Sequence, residues 1–233
     1  MKFDHHIHSC YSGDSHSKVE DIIKYSMKIG LDAIAISDHD TVKGSKKAME
    51  IAKGQKNINS LIIVPSIEIT TNKGHIIGLG LEEELKINQS PEEVIEKIHD
   101  ENALAIIPHP YTYYRHGLFA TINIENYIKH SKPNRKLKID GVEVKNGRFL
   151  LGYGNYKTKK FSKNHNISPL GGSDSHFINA IGDCYSEMEF ESVEDIFEAI
   201  RNNKTIAKGQ KTSNRLIGKE FINKKIKRKY KRN

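Results

Sequence analysis

The chain has 233 residues, 36% of them hydrophobic and 28% charged, with a formal charge of +8 at pH 7 and a mean hydropathy of −0.60. That length suits one large domain with a real core, and no apolar run approaches the ~18 residues a membrane helix requires. The start of the chain enters a charged strand instead of a signal peptide, and Cys10 and Cys184 lie far apart without a C-x-x-C pair. A cytoplasmic protein without membrane contact is expected, its cysteines serving as packing groups.

Charge is unevenly placed. From residue 215 to 233 nine Lys or Arg stand against Glu220 alone, a net +8 that equals the excess of the whole chain. The pI of 9.2 is therefore a property of the chain's end. A body, 1–212, and a basic tail, 213–233, are expected, and the body is not a basic nucleic-acid platform.

In chain order, Asp4-His5-His6-Ile7-His8 opens the sequence. An extended strand puts Asp4, His6 and His8 on one face and His5 and Ile7 on the other. Two imidazoles and a carboxylate sharing a face call for a cation between them, so a metal is the first expectation. His5, facing away, is expected to pack against a helix. Ser17-Lys18-Val19-Glu20 reads as a capping box leading into a helix over 19–29, with Gly30 as its stop. A strand over 31–36 delivers Ser37-Asp38-His39-Asp40. A helix over 43–53 and a strand over 61–69 carrying Glu68 follow, then a strand over 74–80 carrying His75. Ser90-Pro91-Glu92-Glu93 caps a helix over 91–102. A strand over 103–107 ends in Pro108-His109-Pro110, and a short helix is expected over 124–130. The strand over 139–144 leads to Lys145-Asn146-Gly147-Arg148, and 150–164 reads as partly helical. The strand over 168–172 delivers Ser173-Asp174-Ser175-His176, Ser192 caps a helix to 202, and a last strand covers 205–207.

Alternating strands and helices predict a parallel α/β sheet with right-handed crossovers, either a closed barrel or an open doubly wound sheet. The polar residues sit at well-separated strand ends, and a closed barrel gathers its C-terminal strand ends around one mouth. A barrel is the expected architecture.

His6-x-His8, the Asp38-His39 turn, Glu68, His75, Pro108-His109-Pro110 and Gly172-Ser173-Asp174-Ser175-His176 together resemble, in order, the motif series of the PHP (polymerase and histidinol phosphatase) family. The resemblance implies a distorted seven-stranded, TIM-like β/α barrel of PHP type, with two or three divalent ions at its mouth. It also implies their ligands. His6, His8, Glu68 and Asp174 would hold one ion, Glu68 would bridge to a second held by His75 and His109, and His39 and His176 would hold a third with a residue of the first loop. Many members read Ser-Asp-Gly in that loop, whereas this chain reads Ser12-Gly13-Asp14. Asp14 is the first choice there and His16 the second. Imidazole and carboxylate donors suit Zn²⁺, Mn²⁺ or Fe²⁺.

The implied activity is metal-dependent phosphate-ester hydrolysis by a phosphatase or phosphoesterase. Asp38, Asp40 and Asp4 are candidates to orient the ligating imidazoles. Arg115 and Arg148 are candidates to meet the phosphate, since a guanidinium matches it bidentately. His116 is a candidate proton donor, whereas His99, His130 and His165 read as solvated. Tyr111, Tyr113 and Tyr114 either stack on a nucleobase or serve as packing. The expected partner is a small phosphorylated substrate, a nucleotide or an oligonucleotide end, with nucleic acid engaged through the tail. A non-catalytic RNA-binding role, as in the PHP-like subunit of archaeal ribonuclease P, and a nuclease using the tail are the alternatives.

Overall fold

A computed structural model describes residues 1–54, 60–124, 138–148 and 153–214. The expected helix over 124–130 and the basic tail fall mostly or wholly outside the described residues. Strands β1 (Lys2–Ile7), β2 (Ala33–Ile36) and β3 (Ile62–Val64) are parallel neighbours. β9 (Cys184–Glu187) pairs antiparallel with β1, and β10 (Ile206–Gly209) pairs antiparallel with β9, giving a first sheet of order β10-β9-β1-β2-β3. The second sheet runs β4 (Ser66–Thr70), β5 (His75–Leu79), β6 (Leu104–Ile107), β7 (Gly141–Asn146) and β8 (Ser168–Gly172) in sequence order.

The architecture is thus a mixed α/β fold of two five-stranded sheets, where one closed seven-stranded barrel was expected. Single bridges join the sheets, Ile7 to Ser175 and His39 to Glu68. The strands are not all parallel either, because β4 and β5 form a hairpin and β5 pairs antiparallel with β6. The expected strand over 61–69 is cut at Pro65, which has no N–H for a ladder. β3 ends before it in one sheet and β4 begins after it in the other. β9 escaped the sequence reading because Cys-Tyr-Ser-Glu has no apolar alternation.

Among the described residues the α-helices are α1 (Val19–Lys28), α2 (Lys43–Gly54), α3 (Pro91–Asp100), α4 (Leu118–Thr121), α5 (Tyr153–His165) and α6 (Val193–Arg201). The expected box on α3 forms, Ser90 with Glu93, and the expected Ser192 cap of α6 is a box completed by Asp195. The Ser17 box does not. Lys18 is the N-cap of α1 and makes no side-chain cap bond. The stop at Gly30 does hold, with φ +73° and the paired bonds Gly30 N–H to Met27 O, 3.1 Å, and Leu31 N–H to Ser26 O, 3.0 Å, of a left-handed helix cap.

The strands are apolar on both faces because both are covered. Ala33 and Ala35 of β2, Ile77 and Leu79 of β5, and Leu104 and Ile106 of β6 meet in one cluster between the sheets. The alternate residues Ile34 and Ile36 pack outward with Val19, Ile22 and Ile23 of α1. Ala105 and Ile107 do the same with Val94, Ile95 and Ile98 of α3. This period of two holds the sheets in register and leaves one end of the interior to polar residues.

Candidate metal centre

Every residue expected to ligate a metal converges on that polar end. His6 and His8 come from the end of β1, Asp14 from the loop beyond it, His39 from after β2 and Glu68 from within β4. His75 opens β5, His109 follows β6, and Asp174 and His176 follow β8. His75 reaches the same rim from a strand's N-terminal end because β5 runs antiparallel to β4.

Glu68 is central to the basin. Its Oε2 lies 3.3 Å from His6 Nε2, His8 Nε2 and His39 Nδ1, while Oε1 lies 3.0 Å from His75 Nδ1 and 3.1 Å from His109 Nε2. Asp174 Oδ1 lies 3.8 Å from His6 Nε2 and 3.7 Å from His8 Nε2, and its Oδ2 is 3.9 Å from His109 Nε2. Asp14 Oδ2 is 2.7 Å from His176 Nε2 and 3.9 Å from His39 Nε2. Four overlapping groups have the spacing to hold a cation: His6, His8 and Glu68; His39, Glu68 and His75; His6, His109 and Asp174; and His8, Asp14, His39 and His176. His16 is exposed and belongs to none of these groups.

The donors fit metal ions. Asp174 Oδ1 and His109 Nδ1 are buried with no hydrogen-bond partner among the described residues. His6 Nε2 and His8 Nε2 face each other at 3.1 Å, an arrangement of convergent donors suited to a shared cation. Backbone strain aims two of the ligands, since His109 and Asp174 hold φ of +31° and +53°.

Electrostatics separate the imidazoles. Burial lowers His8, lowers His39 to about 4 and, with the charge of Arg115 adding, lowers His109 to about 3. His176 is lowered by burial and by His8 and Arg148. His6 goes the other way: burial is outweighed by the Glu143 and Glu68 carboxylates, which raise it to about 9. Burial likewise opposes ionisation of Glu68, but His39, His75 and His6 hold its carboxyl well below the usual range. The imidazoles of His8, His39, His109 and His176, held neutral beside the Glu68 carboxylate, are able to take a metal ion.

Both arginines also reach the basin. Arg115 Nη2 pairs with Asp174 Oδ2, and Arg148 Nη1 lies 3.6 Å from Asp174 Oδ1 and 2.6 Å from His176 Nδ1. Burial and the neighbouring Arg148 lower Arg115 to about 9.

Several expected roles change. Asp38 accepts from Ser9 N–H and Ser9 Oγ at 2.6 Å, Asp40 from Thr70 N–H at 2.7 Å, and Asp4 from Ser173 N–H at 3.0 Å and Gly182 N–H at 2.9 Å. These carboxylates tie loop and strand-end backbone instead of orienting imidazoles. The imidazole is oriented by Glu143, which sequence reasoning missed. Fully buried, its Oε1 lies 2.7 Å from His6 Nδ1 and 3.3 Å from His5 Nε2. Its Oε2 accepts from His109 N–H and Asn146 Nδ2, each at 2.8 Å. A lone acid inside the apolar strand Gly-Val-Glu-Val was the available signal. Asn146, also missed, accepts from Arg115 Nη1 at 3.1 Å and donates from Nδ2 to Asp174 Oδ2 at 3.1 Å.

His5 packs beside Glu143 and Phe3 instead of a helix, because a register shift between Asp4 and Ile7 breaks the strict alternation of β1. Cys10 is exposed and Cys184 buried, so only the second is a packing cysteine. His99 is not merely solvated, since its Nε2 lies 2.7 Å from Asp140 Oδ2. His165 packs its ring on Phe161 with centroids 4.5 Å apart, and His130 lies outside the described residues. His116 is exposed, its ring 5.3 Å from that of His75. Tyr111 packs on Phe119 at 5.4 Å, whereas Tyr113 and Tyr114 face solvent.

Comparison with known proteins gives this geometry a family. Residues 4–145 match the PHP domain model and residues 152–205 the model of the PHP-associated region. An uncharacterized protein of Methanocaldococcus jannaschii is 41% identical over 122 residues, 48% of this chain and 69% of the relative. A second one from that organism is 28% identical over 202 residues, 84% of this chain and 75% of the relative. The fold is similar to that of a two-domain protein from Bacteroides vulgatus containing a predicted PHP-like metal-dependent phosphoesterase (TM-score 0.67, 19% identity, 90% of this chain and 65% of that one). It is also similar to the lesion-specific endonuclease of Pyrococcus furiosus, endonuclease Q (TM-score 0.59, 19% identity, 86% of this chain and 55% of that one). This chain thus spans about two thirds of the first structure and just over half of the second. With the family model running from Asp4 at the head of the His6-x-His8 strand to Lys145, just past Glu143, the chain belongs to the PHP domain family.

Proposed function

We propose that the protein is a metal-dependent hydrolase of phosphate esters, acting on a small phosphorylated metabolite, a nucleotide or an oligonucleotide end. The observation that carries this reading is the single basin in which four donor groups share His6, His8, His39 and Glu68 while two guanidinium groups reach Asp174 beside it. Under this reading His6, His8, Glu68 and Asp174 hold one ion, His75 and His109 with Glu68 a second, and His39, His176 and Asp14 a third. Zn²⁺, Mn²⁺ and Fe²⁺ all suit such donors. Bound divalent ions supply water activation and charge neutralisation on the phosphoryl group.

The chain's own groups do the rest. Glu143 holds the proton of His6 on Nδ1, leaving Nε2 as the donor that faces Glu68 and His8. Asn146 accepts from Arg115 and from the backbone N–H of Arg148, placing both guanidinium groups where a phosphate's non-bridging oxygens can meet them. The bridged seams between β1 and the loop after β8, and between the turn after β2 and the middle of β4, support reading β1, β2 and β4 to β8 as a distorted seven-stranded barrel around this basin. Two unbridged cysteines support a cytoplasmic site of action.

The test is elemental analysis of the protein purified without chelator, with hydrolysis of 4-nitrophenyl phosphate in Mn²⁺. Two or three ions per chain with turnover are expected. Glu68→Gln should lower kcat/KM beyond the ~10–100-fold typical of losing an outer partner of a metal ligand, with the circular-dichroism spectrum unchanged. Retained activity in that variant, or a wild-type protein with neither metal nor turnover, would sink the reading.

A further inference from the structure

Three imidazoles are each shared between two of the groups spaced to hold an ion. His6 stands with His8 and Glu68 and also with His109 and Asp174; His8 stands with His6 and Glu68 and also with Asp14, His39 and His176; His39 stands in that last group and also with Glu68 and His75. A shared ring sets the spacing between neighbouring ions, so its orientation bears on both. Glu143 holds only the first of the three by its ring. The other two lie side by side, His8 and His39 with ring centroids 4.7 Å apart, and they carry the basin from its buried floor to its edge. The His8 side chain is fully buried, whereas those of His39 and Asp14 are 28% and 27% exposed.

These two histidines meet at Ser12. His8 directs Nε2 at Glu68 Oε2, 3.3 Å away, and at His6 Nε2, 3.1 Å away, while its Nδ1 lies 3.1 Å from Ser12 Oγ. The backbone N–H of His39 donates to the same oxygen at 3.2 Å. That oxygen is itself on braced backbone. Residues Cys10–Ser12 form a single 3-10 turn whose N-cap, Ser9, accepts from Tyr11 N–H through its side chain at 3.2 Å, and Ser12 N–H donates to Ser9 O at 3.1 Å. Ser9 in turn donates to Asp38 through its N–H and its hydroxyl, each at 2.6 Å. The turn after β1 is thus laced twice to the turn after β2, by Ser9 to Asp38 and by Ser12 to His39.

A hydroxyl carries one proton and two acceptor lone pairs. The His39 N–H takes one lone pair, and the other is placed for a proton on His8 Nδ1. With its proton there, His8 keeps the Nε2 lone pair directed into the basin, which is the state a ligating imidazole requires.

We infer that Ser12 is a positioning residue of the metal centre: its hydroxyl holds the His8 ring through Nδ1 and the His39 backbone through N–H, and so sets two shared imidazoles at the spacing neighbouring ions need. The inference deepens the metal-dependent reading above and rests on it. Ser12 acts through the two histidines and not on the phosphate. Alanine at this position would leave both donors without their common acceptor, whereas threonine would keep it.

The experiment is titration calorimetry of the chelator-treated full chain with Mn²⁺, together with elemental analysis after dialysis, for the wild type, Ser12→Ala and Ser12→Thr. Circular dichroism and the urea midpoint of the ion-free proteins check that each variant is folded. Ser12→Ala is expected to bind Mn²⁺ more weakly by about 10–100-fold, as for other losses of an outer partner of a metal ligand, and to retain fewer ions per chain through dialysis. Ser12→Thr is expected to recover most of the affinity and the ion count.

Wild-type affinity and ion count in Ser12→Ala would overturn the inference. So would a Ser12→Thr variant as weak as Ser12→Ala, because the hydroxyl would then not be what the site uses. A loss of affinity matched by an equal loss of ion-free stability would overturn it in favour of a brace for the loop alone. Calorimetry does not depend on turnover, so a wild type that takes up Mn²⁺ without hydrolysing 4-nitrophenyl phosphate counts against the hydrolase reading only. A wild type that takes up no Mn²⁺ overturns both.

Discussion

Glu143 is the residue on which the most geometry depends. It meets His6 and His5 with one oxygen and the backbone of His109 and the amide of Asn146 with the other. Burial opposes its charge, yet His6 and His5 hold its carboxyl well below the usual range. Glu143→Gln keeps the volume but removes the charge that keeps the proton on His6 Nδ1. Titration calorimetry with Mn²⁺ should show metal affinity lower by about 10–100-fold, and unchanged affinity would dismiss the positioning role. Gly172 is bound to the same spot. A Cβ there would collide with Glu143 Oε1 and come within 2.9 Å of His6 Cβ, so Gly172→Ala should lower both metal content and thermal stability. The cysteines give a simpler contrast. Burial raises the Cys184 thiol to about 12, so a thiol reagent should label exposed Cys10 in the native protein and reach Cys184 only on unfolding.

At the scale of the element, the capping box on α3 is complete in both directions, with Ser90 Oγ accepting from Glu93 N–H at 3.3 Å and Glu93 Oε2 accepting from Ser90 N–H at 3.0 Å. Pro91 at the first turn adds a preset φ. Ser90→Ala should cost about 1 kcal/mol in urea denaturation. The effect on the basin should be small, because α3 packs on the outer faces of β4 to β6 through Val94, Ile95 and Ile98. A loss of metal affinity in that variant would show that helix and site are coupled more tightly than this packing implies.

Across the whole molecule, the basin concentrates titratable groups in a dry interior, and stability should follow pH accordingly. His39 and His109 fall from 6.5 to about 4 and about 3 in the folded protein. Each therefore contributes stability that is complete above 6.5 and lost as pH falls through 6.5 towards those values. His6, raised to about 9, contributes in the opposite sense: its share is complete below 6.5 and lost as pH rises through 9. Chelator-treated protein should thus have its highest urea midpoint near neutrality and lose stability on both sides. A midpoint that keeps climbing below pH 6 would contradict the neutral state of the buried imidazoles. The apolar interior sets the baseline, and Ile106→Ala, at the centre of the cluster between the sheets, should cost about 2–5 kcal/mol.

What the sequence by itself determined is the local chemistry: the His-x-His strand, the turns that end in Asp-His, the caps on α3 and α6, and the basic end of the chain. Each depends on residues a few positions apart, where strand period, helix capping and charge can be read directly. The ordered motif series also carried the family. Only the tertiary structure decided how the strands divide. Pro65 breaks a ladder whose partners are distant in sequence, so the sheets separate there, and the β4–β5 hairpin turns His75 back to the shared rim. The structure likewise decided which acid serves an imidazole. Asp38, Asp40 and Asp4 are near His residues in sequence but bind loop or strand-end backbone, whereas Glu143, 137 residues from His6, meets its ring. The physical reason is that a buried carboxylate takes whichever donors the fold brings to it, and strand pairing across the whole chain sets those donors.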